Sequence, residues 1–376
     1  MDLESRIDRL RYLIKKNNFD AVAIFSDENR RYLSGFTAQD GNYDESAGFL
    51  IITEKDLVLA TDSRYKLQAQ NEAKLYSTYC YEKGLSSEFP DIINSLNYYT
   101  LINKNITLAI ETSRITFELY NKIEQKIKER GLKVNITSSN EALKEFRIIK
   151  EPEEVNAIRS SLKIAEDAFL KLKTYINTEL TEKEAAWLLE KFIRESGADC
   201  LSFPVIAASG TNSALPHAIP ENRRFRKGGP LLFDFGAKFN GYCSDISRTI
   251  VIGGEPDNTF KEAYETVLHA QNMAIKAIRP KIKCSEIDKI AREYIDNSKF
   301  KGKFGHALGH GVGIAIHEPP RLSRLDETNL EAGMVVTVEP GIYIPEWGGI
   351  RLENMVLVTE NGAEVLNTIG YDDYIV

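Results

Sequence analysis

The stretch Leu231–Thr249 constrains the fold more than any other part of the chain. Two apolar arms flank Asn240-Gly241, the strongest short-range signal for a β-hairpin turn, and each arm carries one acid, Asp234 and Asp245. An ionised carboxylate inside an apolar strand is costly unless it is paired or coordinates a metal. Two of them facing one another repel unless a cation lies between. The hairpin therefore reads as the floor of a metal site. The alternative is a hairpin whose Asp side chains cap turns or pair with Arg248. Asp234-Phe235-Gly236 also spells the metal-binding tripeptide of protein kinases, but the chain has no Gly-rich phosphate loop, strand lysine or His-Arg-Asp loop upstream.

The five histidines narrow the chemistry. None precedes His217, and His306, His310 and His317 crowd into one Gly-rich segment. The spacing of His306 and His310 suggests a helical zinc motif, but the required Glu is missing and Gly309, Gly311 and Gly313 disfavour a helix. As a strand, His306, Leu308 and His310 share one face, and the glycines permit close backbone approach. At least one histidine here reads as a metal ligand, against the alternative of hydrogen-bonded structural histidines. His269 lies in a helical pattern and reads as surface or structural.

Two further acids sit in strand-like runs. Val335–Glu339 reads as a buried strand ending in an acid, followed by a Pro340-Gly341 turn, and Gly349–Val358 carries Arg351 and Glu353 on one face by alternation. Four carboxylates and one imidazole form a hard, oxygen-rich donor set, which suits two divalent ions such as manganese, with cobalt or zinc possible. Two ions roughly 3.5–4 Å apart can share a hydroxide, lower its pKa and clamp a tetrahedral intermediate. That is hydrolytic chemistry.

The rest of the chain frames this site. Helix and strand patterns alternate up to about residue 135, with a helix at Leu3–Ile14 and short buried strands at Ala21–Phe25, Gly48–Ile52, Leu57–Ala60 and Thr107–Ile110. Long helices follow at Val155–Tyr175, after the Thr181–Glu184 capping box, at Phe260–Ile278 and at Ser285–Ile295, with strands between them. An α/β domain followed by an α+β domain is the expected fold class. No internal repeat is visible. A net charge of -7 argues against general nucleic-acid binding, no stretch is apolar for long enough to span a bilayer, and the four scattered cysteines fit reduced thiols. Cytoplasm is the default address.

At this point the residues resemble a known family. Asp234, Asp245, His310, Glu339 and Glu353, in this order and context, resemble the ligands of the dinuclear metallopeptidases of the pita-bread fold: Xaa-Pro aminopeptidase, Xaa-Pro dipeptidase (prolidase) and methionine aminopeptidase. Tyr32–Phe36 and Thr61–Tyr65 resemble the creatinase-type N-terminal domain, and Phe146–Glu154 resembles the entry to the catalytic domain. Methionine aminopeptidases normally lack that N-terminal domain, which favours the proline-directed branch. The resemblance implies a creatinase-like α/β domain over 1–137, a link over 138–152 and a pita-bread catalytic domain over 153–376.

For the site, the resemblance implies two divalent ions, manganese first. Asp234 would be bidentate to one ion, Asp245 and Glu353 would bridge, and His310 and Glu339 would complete the other. It makes Glu339 the candidate general base and proton shuttle, His317 a stabiliser of the gem-diolate, and His217 a substrate contact. His306 falls near the pocket, and Arg351 orients Glu353 or substrate. The implied activity is removal of the residue preceding proline by a hydroxide that bridges the metals: an Xaa-Pro aminopeptidase, with prolidase as the alternative. Creatinase, which is metal-free, lacks this acidic set. A non-catalytic pita-bread peptide-binding module is the alternative from another class, and the intact ligands count against it. A homodimer is implied as well.

Overall fold

A computed structural model describes residues 2–41, 45–96, 105–144, 146–371 and 374–376. The chain divides into two compact units, Met1–Phe146 and Arg147–Val376. The division falls inside the stretch read as a link. That stretch holds the end of one strand, a short helix at Asn140–Leu143 and the first residue of a long helix at Pro152.

In the first unit the helices are α1 (Leu3–Lys16), α2 (Asp27–Ser34), α3 (Lys66–Glu72), α4 (Leu85–Ser95), α5 (Phe117–Glu129) and α6 (Asn140–Leu143). The strands are β1 (Ala21–Ile24), β2 (Phe49–Thr53), β3 (Leu57–Thr61), β4 (Ser77–Cys80), β5 (Ile106–Ile110) and β6 (Val134–Ser138). Among the described residues they form one sheet, ordered β4-β3-β2-β1-β5-β6. The central strands are mostly apolar and almost wholly buried because both faces are covered, as the short apolar runs predict. Edge strands β4 and β6 are partly exposed and polar, which is why periodicity did not reveal them.

The second unit repeats one plan twice: a helix pair, then a hairpin bent at its middle. Helices α7 (Pro152–Lys173) and α8 (Glu182–Glu195) come first, each opened by a capping box, Glu151 with Glu154 and Thr181 with Glu184. Short strands β7 (Cys200–Leu201) and β8 (Ile206–Ser209) lead to the first hairpin. Its outer part pairs β9 (Pro230–Phe235) with β12 (Ile246–Val251), and its tip pairs β10 (Ala237–Phe239) with β11 (Tyr242–Cys243). The turn is at Asn240-Gly241, with φ of 51° and 82°, as the sequence predicts.

The register continues from Phe235 opposite Ile246 to Lys238 opposite Cys243, so Gly236 stands opposite Asp245. The two parts nonetheless join different sheets, the outer part with β8 and the tip with β7. Gly236 makes the bend possible: a Cβ there would lie 1.9 Å from the Ser244 carbonyl oxygen.

Helices α9 (Asn258–Ala277) and α10 (Cys284–Asp296) precede the second hairpin, burying Phe260, Val267, Ile287 and Ile295 in one core with Val336, Ile350 and Val356. Strands β13 (Gly309–Gly311) and β14 (Glu318–Leu322) follow. The hairpin pairs β15 (Val335–Val338) with β18 (Asn354–Thr359), and β16 (Gly341–Ile344) with β17 (Gly348–Arg351). Its register also runs on, from Val338 opposite Asn354 to Gly341 opposite Arg351, so the turn expected at Pro340-Gly341 is instead a break after which the strand resumes at Gly341. The single strand expected over 349–358 is therefore two, broken at Leu352-Glu353 where Glu339-Pro340 lies opposite; proline has no N–H to give the ladder. Strand β19 (Gly362–Val365) completes the sheet β14-β13-β15-β18-β19.

Candidate metal centre

Each hairpin places its two acids at or beside its bend, and the two bends face one another. Residues 245, 247 and 249 leave one face of β12 and its approach toward the second hairpin: the Ser247 hydroxyl donates to Glu353 Oε2 at 2.9 Å and the Thr249 hydroxyl to the Arg351 carbonyl at 3.1 Å. His310 Nε2 lies 3.5 Å from Asp245 Oδ2 and 3.4 Å from Glu339 Oε1. Ligand atoms of Asp245, His310 and Glu353 all fall within 4.8 Å of one another. Arg351 Nη2 holds Asp234 Oδ2 at 2.6 Å. Asp245, His310, Glu339 and Glu353 thus meet in one cluster, and Asp234 adjoins it through Arg351 and through its charge, which acts on Asp245, Glu339 and Glu353.

Arg351, expected to orient Glu353 or substrate, reaches the Glu353 carboxylate only through the Ser247 hydroxyl, which accepts from Arg351 Nε at 2.8 Å and donates to Glu353 Oε2 at 2.9 Å. It is buried, and besides Asp234 it donates to the Ser247 hydroxyl, the Tyr343 hydroxyl and the Pro216 carbonyl. The break at Leu352-Glu353 removes the simple alternation that would have put Arg351 and Glu353 side by side. Arg248 does not pair with the Asp side chains. It donates to the Ser247 and Glu353 carbonyls, Asn354 Oδ1 and the Ile369 carbonyl.

The histidines divide. Only Gly309–Gly311 is strand, so His306 lies outside it and Leu308 is buried in the core. A Cβ at Gly309 would lie 2.0 Å from the Thr337 carbonyl oxygen of β15, and one at Gly311 would lie 2.4 Å from the Pro319 carbonyl oxygen of β14, so the close approach that these glycines permit is to the two neighbouring strands. His306 Nε2 meets the Tyr343 hydroxyl at 2.9 Å. His317 sets its ring edge-on to His310, centroids 4.3 Å apart, and is exposed on the other side. His217 is exposed on a loop tethered to the centre by the Arg351 bond to its neighbour Pro216. His269 bonds within its own helix, to the Glu265 carbonyl, away from the cluster.

Burial is the main electrostatic influence. It pushes Asp245 well above the usual carboxylate range, aided by the charges of Glu353, Asp234 and Glu339. Glu353 is raised in the same way, and Glu339 is pushed up to about 8 by burial, with Asp234 adding to it and Arg351 opposing. Burial lowers His310 to about 3 and His306 to about 4, and lowers His317, so the imidazoles are neutral at pH 7. Among the described residues, Asp234 Oδ1 and Glu353 Oε1 are buried without a hydrogen-bond partner. Crowded carboxylates, orphaned oxygens and a neutral imidazole fit hard divalent cations.

Sequence reasoning passed over Ser247, Thr337 and Tyr343. Thr337 Oγ1 bonds Glu339 Oε1 at 3.3 Å and accepts from the His310 backbone N–H. Counting by two from Asp245 reaches Ser247, and from Glu339 reaches Thr337 and Tyr343, so strand periodicity held the signal.

The profile of Metallopeptidase family M24 matches residues 156–360, and that of the Creatinase/Prolidase N-terminal domain matches residues 6–149. The order of a creatinase-like α/β domain and an α+β pita-bread domain is the one these matches describe. An Xaa-Pro dipeptidase of Pyrococcus furiosus is 36% identical over 364 residues, covering 97% of this chain and 98% of that protein. Among solved structures, an Xaa-Pro dipeptidase from Bacillus anthracis superposes with a TM-score of 0.90 at 34% identity, covering 100% of both chains. An X-Pro aminopeptidase from Thermotoga maritima superposes with a TM-score of 0.85 at 33% identity, covering 99% of this chain and 100% of that one.

Proposed function

Because the chain belongs to metallopeptidase family M24 and carries the creatinase/prolidase N-terminal domain, we propose that it hydrolyses the peptide bond preceding proline, with the free Xaa-Pro dipeptide as preferred substrate. Asp234, Asp245, His310, Glu339 and Glu353 would hold two divalent ions, manganese first. When bound, such ions supply Lewis-acid chemistry, polarising the carbonyl and making water acidic. The rest falls to side chains. Glu339 takes the proton from the attacking water on a carboxylate oxygen and passes it to the proline nitrogen, which leaves as a secondary amine. Thr337 fixes that carboxylate through Oε1. His317, neutral and exposed beside His310, donates to the oxygen on which charge develops. His306 and Arg351 share the Tyr343 hydroxyl, which holds the substrate-side wall in place.

One observation supports the dipeptide. Arg321 lies directly opposite His310 in the β13–β14 pairing, is exposed, and its charge acts on both His310 and His317. Directly opposed strand residues leave the sheet on one face. A cation beside the catalytic histidines suits the C-terminal carboxylate of a substrate that ends at proline. The aminopeptidase remains the second reading, supported by the likeness to the Thermotoga maritima enzyme.

The test is cleavage by chelator-treated protein reconstituted with manganese, cobalt or zinc, on an Xaa-Pro dipeptide and a matched Xaa-Pro-Yaa tripeptide. We expect preference for the dipeptide, and a KM for it raised about 10- to 100-fold by Arg321→Ala, the scale of one lost charge-assisted hydrogen bond. Preference for the tripeptide would establish the aminopeptidase. No metal-dependent cleavage of either would overturn the proposal.

A further inference from the structure

Gln271 is a polar side chain in the apolar face of α9, fully buried among Phe260, Val267, Ala270 and Ala274. Its amide nitrogen donates to two backbone carbonyls, Val338 and Leu352, each at 2.8 Å. Those are the residues immediately before Glu339 and Glu353. The Tyr371 hydroxyl, 2.6 Å from Gln271 Oε1, satisfies the other end. The orientation of the amide is fixed by chemistry, since two carbonyls can meet only its NH2 group.

The need for this contact follows from the backbone. By the register of the second hairpin, Leu352 stands opposite Pro340, and the Leu352 N–H reaches the Pro340 carbonyl at 3.4 Å. The reciprocal bond cannot form, because proline has no N–H. A buried carbonyl at the bend would be left without its ladder partner. Gln271 supplies that donor and, with its second hydrogen, ties the Leu352 carbonyl to the Val338 carbonyl on the facing strand.

We propose that Gln271, oriented by Tyr371, is a positioning residue that sets the separation of Glu339 and Glu353 across the broken ladder and so determines how the centre takes up its second divalent ion. The inference rests on the reading of those two acids as ligands. Tyr371 also places its ring under Arg248, with the guanidinium carbon 4.5 Å from the centroid, while Arg248 donates to the Glu353 carbonyl. Two struts from the C-terminal segment and α9 therefore converge on the residues that carry the acids.

The test is titration of chelator-treated full-length protein with Mn2+ by calorimetry and with Co2+ by visible absorption, for wild type, Gln271→Met, Tyr371→Phe and Val267→Ala. Methionine keeps the length and loses both donors. Val267 is a buried apolar neighbour on α9, and its truncation controls for loosening of the helix. Gln271→Met is expected to weaken uptake of the second ion about 10- to 100-fold and to change the Co2+ spectrum, the usual scale for losing support behind a ligand. Tyr371→Phe should do the same by a few fold. Val267→Ala should lower Tm and leave affinity and spectrum unchanged. Wild-type affinity and spectrum in Gln271→Met, or equal weakening in Val267→Ala, would overturn the positioning role while leaving the metal reading intact. Absence of metal binding by wild type would remove the metal reading, and this inference with it.

Discussion

The two bent hairpins are the same device built from opposite materials. The first bends at Gly236, where the Ser244 carbonyl occupies the place of a side chain, and hydroxyls of Ser161 and Ser202 donate to the Ala237 carbonyl at the bend. The second bends at Pro340, where the backbone lacks a donor, and the Gln271 amide fills the gap. One hairpin turns by omitting a Cβ and the other by omitting an N–H. In both, the ladder is interrupted at acids of the centre, Asp245 in the first and Glu339 and Glu353 in the second, while Asp234 leaves the paired strand two residues before the first bend. The missing Cβ cannot be replaced without a clash, whereas the missing N–H can be restored.

If the two hairpins contribute comparably to the centre, Asp245→Asn in the first and Glu353→Gln in the second should each lower kcat about 10³-fold, the loss of several kcal/mol of transition-state stabilisation. A large loss in only one would show that one hairpin carries the chemistry alone. Next in size, Gly236→Ala should destabilise the fold by about 3 kcal/mol or more in denaturant unfolding, because the obstruction is backbone and cannot swing aside.

The acids should also make the metal-free protein respond to pH against the usual trend. The folded pKa of Glu339, about 8, exceeds the ordinary value near 4.3, so the folded state holds a proton that the unfolded state releases. Stability of chelated protein should therefore rise as pH falls from about 8 to about 7. Below about 6.5 the buried neutral His306 and His310 pull the other way, since unfolding lets them take up protons. With Mn2+ present the first slope should reverse, because metal binding requires ionised carboxylates. Thermal unfolding at pH 7 and 8, with and without Mn2+, checks both signs.

The smallest effect should be Pro340→Ala, within about 1 kcal/mol alone, since Gln271 already satisfies Leu352. In a Gln271→Met background the same change offers a backbone N–H to the Leu352 carbonyl and should recover stability. Failure to do so would separate the two bends more sharply than the comparison allows.

What the sequence made legible follows the same physics. Acids in apolar strands are expensive, so Asp234, Asp245, Glu339 and Glu353 stood out, and three histidines among glycines stood out beside them. Helix α1, the four long helices of the second unit and the central strands of the first were found because their faces are buried with a regular period. The bends were not found: a glycine or a proline in a strand run marks an irregularity without saying which sheets its two sides will join. Gln271 was also missed, because one amide on an apolar helix face gives no sign of the carbonyls it will meet. The duplicated plan stayed hidden because its halves share backbone geometry while differing in the residues that produce it.

The central claim is that the two hairpin bends and His310 together hold a pair of divalent ions. Titrating chelator-treated protein with Mn2+ while following calorimetry and electron paramagnetic resonance tests it most directly. The account predicts two ions per chain with a spin-coupled signal, falling to at most one ion in Asp245→Asn. No tight binding, or a single uncoupled ion indifferent to Asp245→Asn, would contradict it.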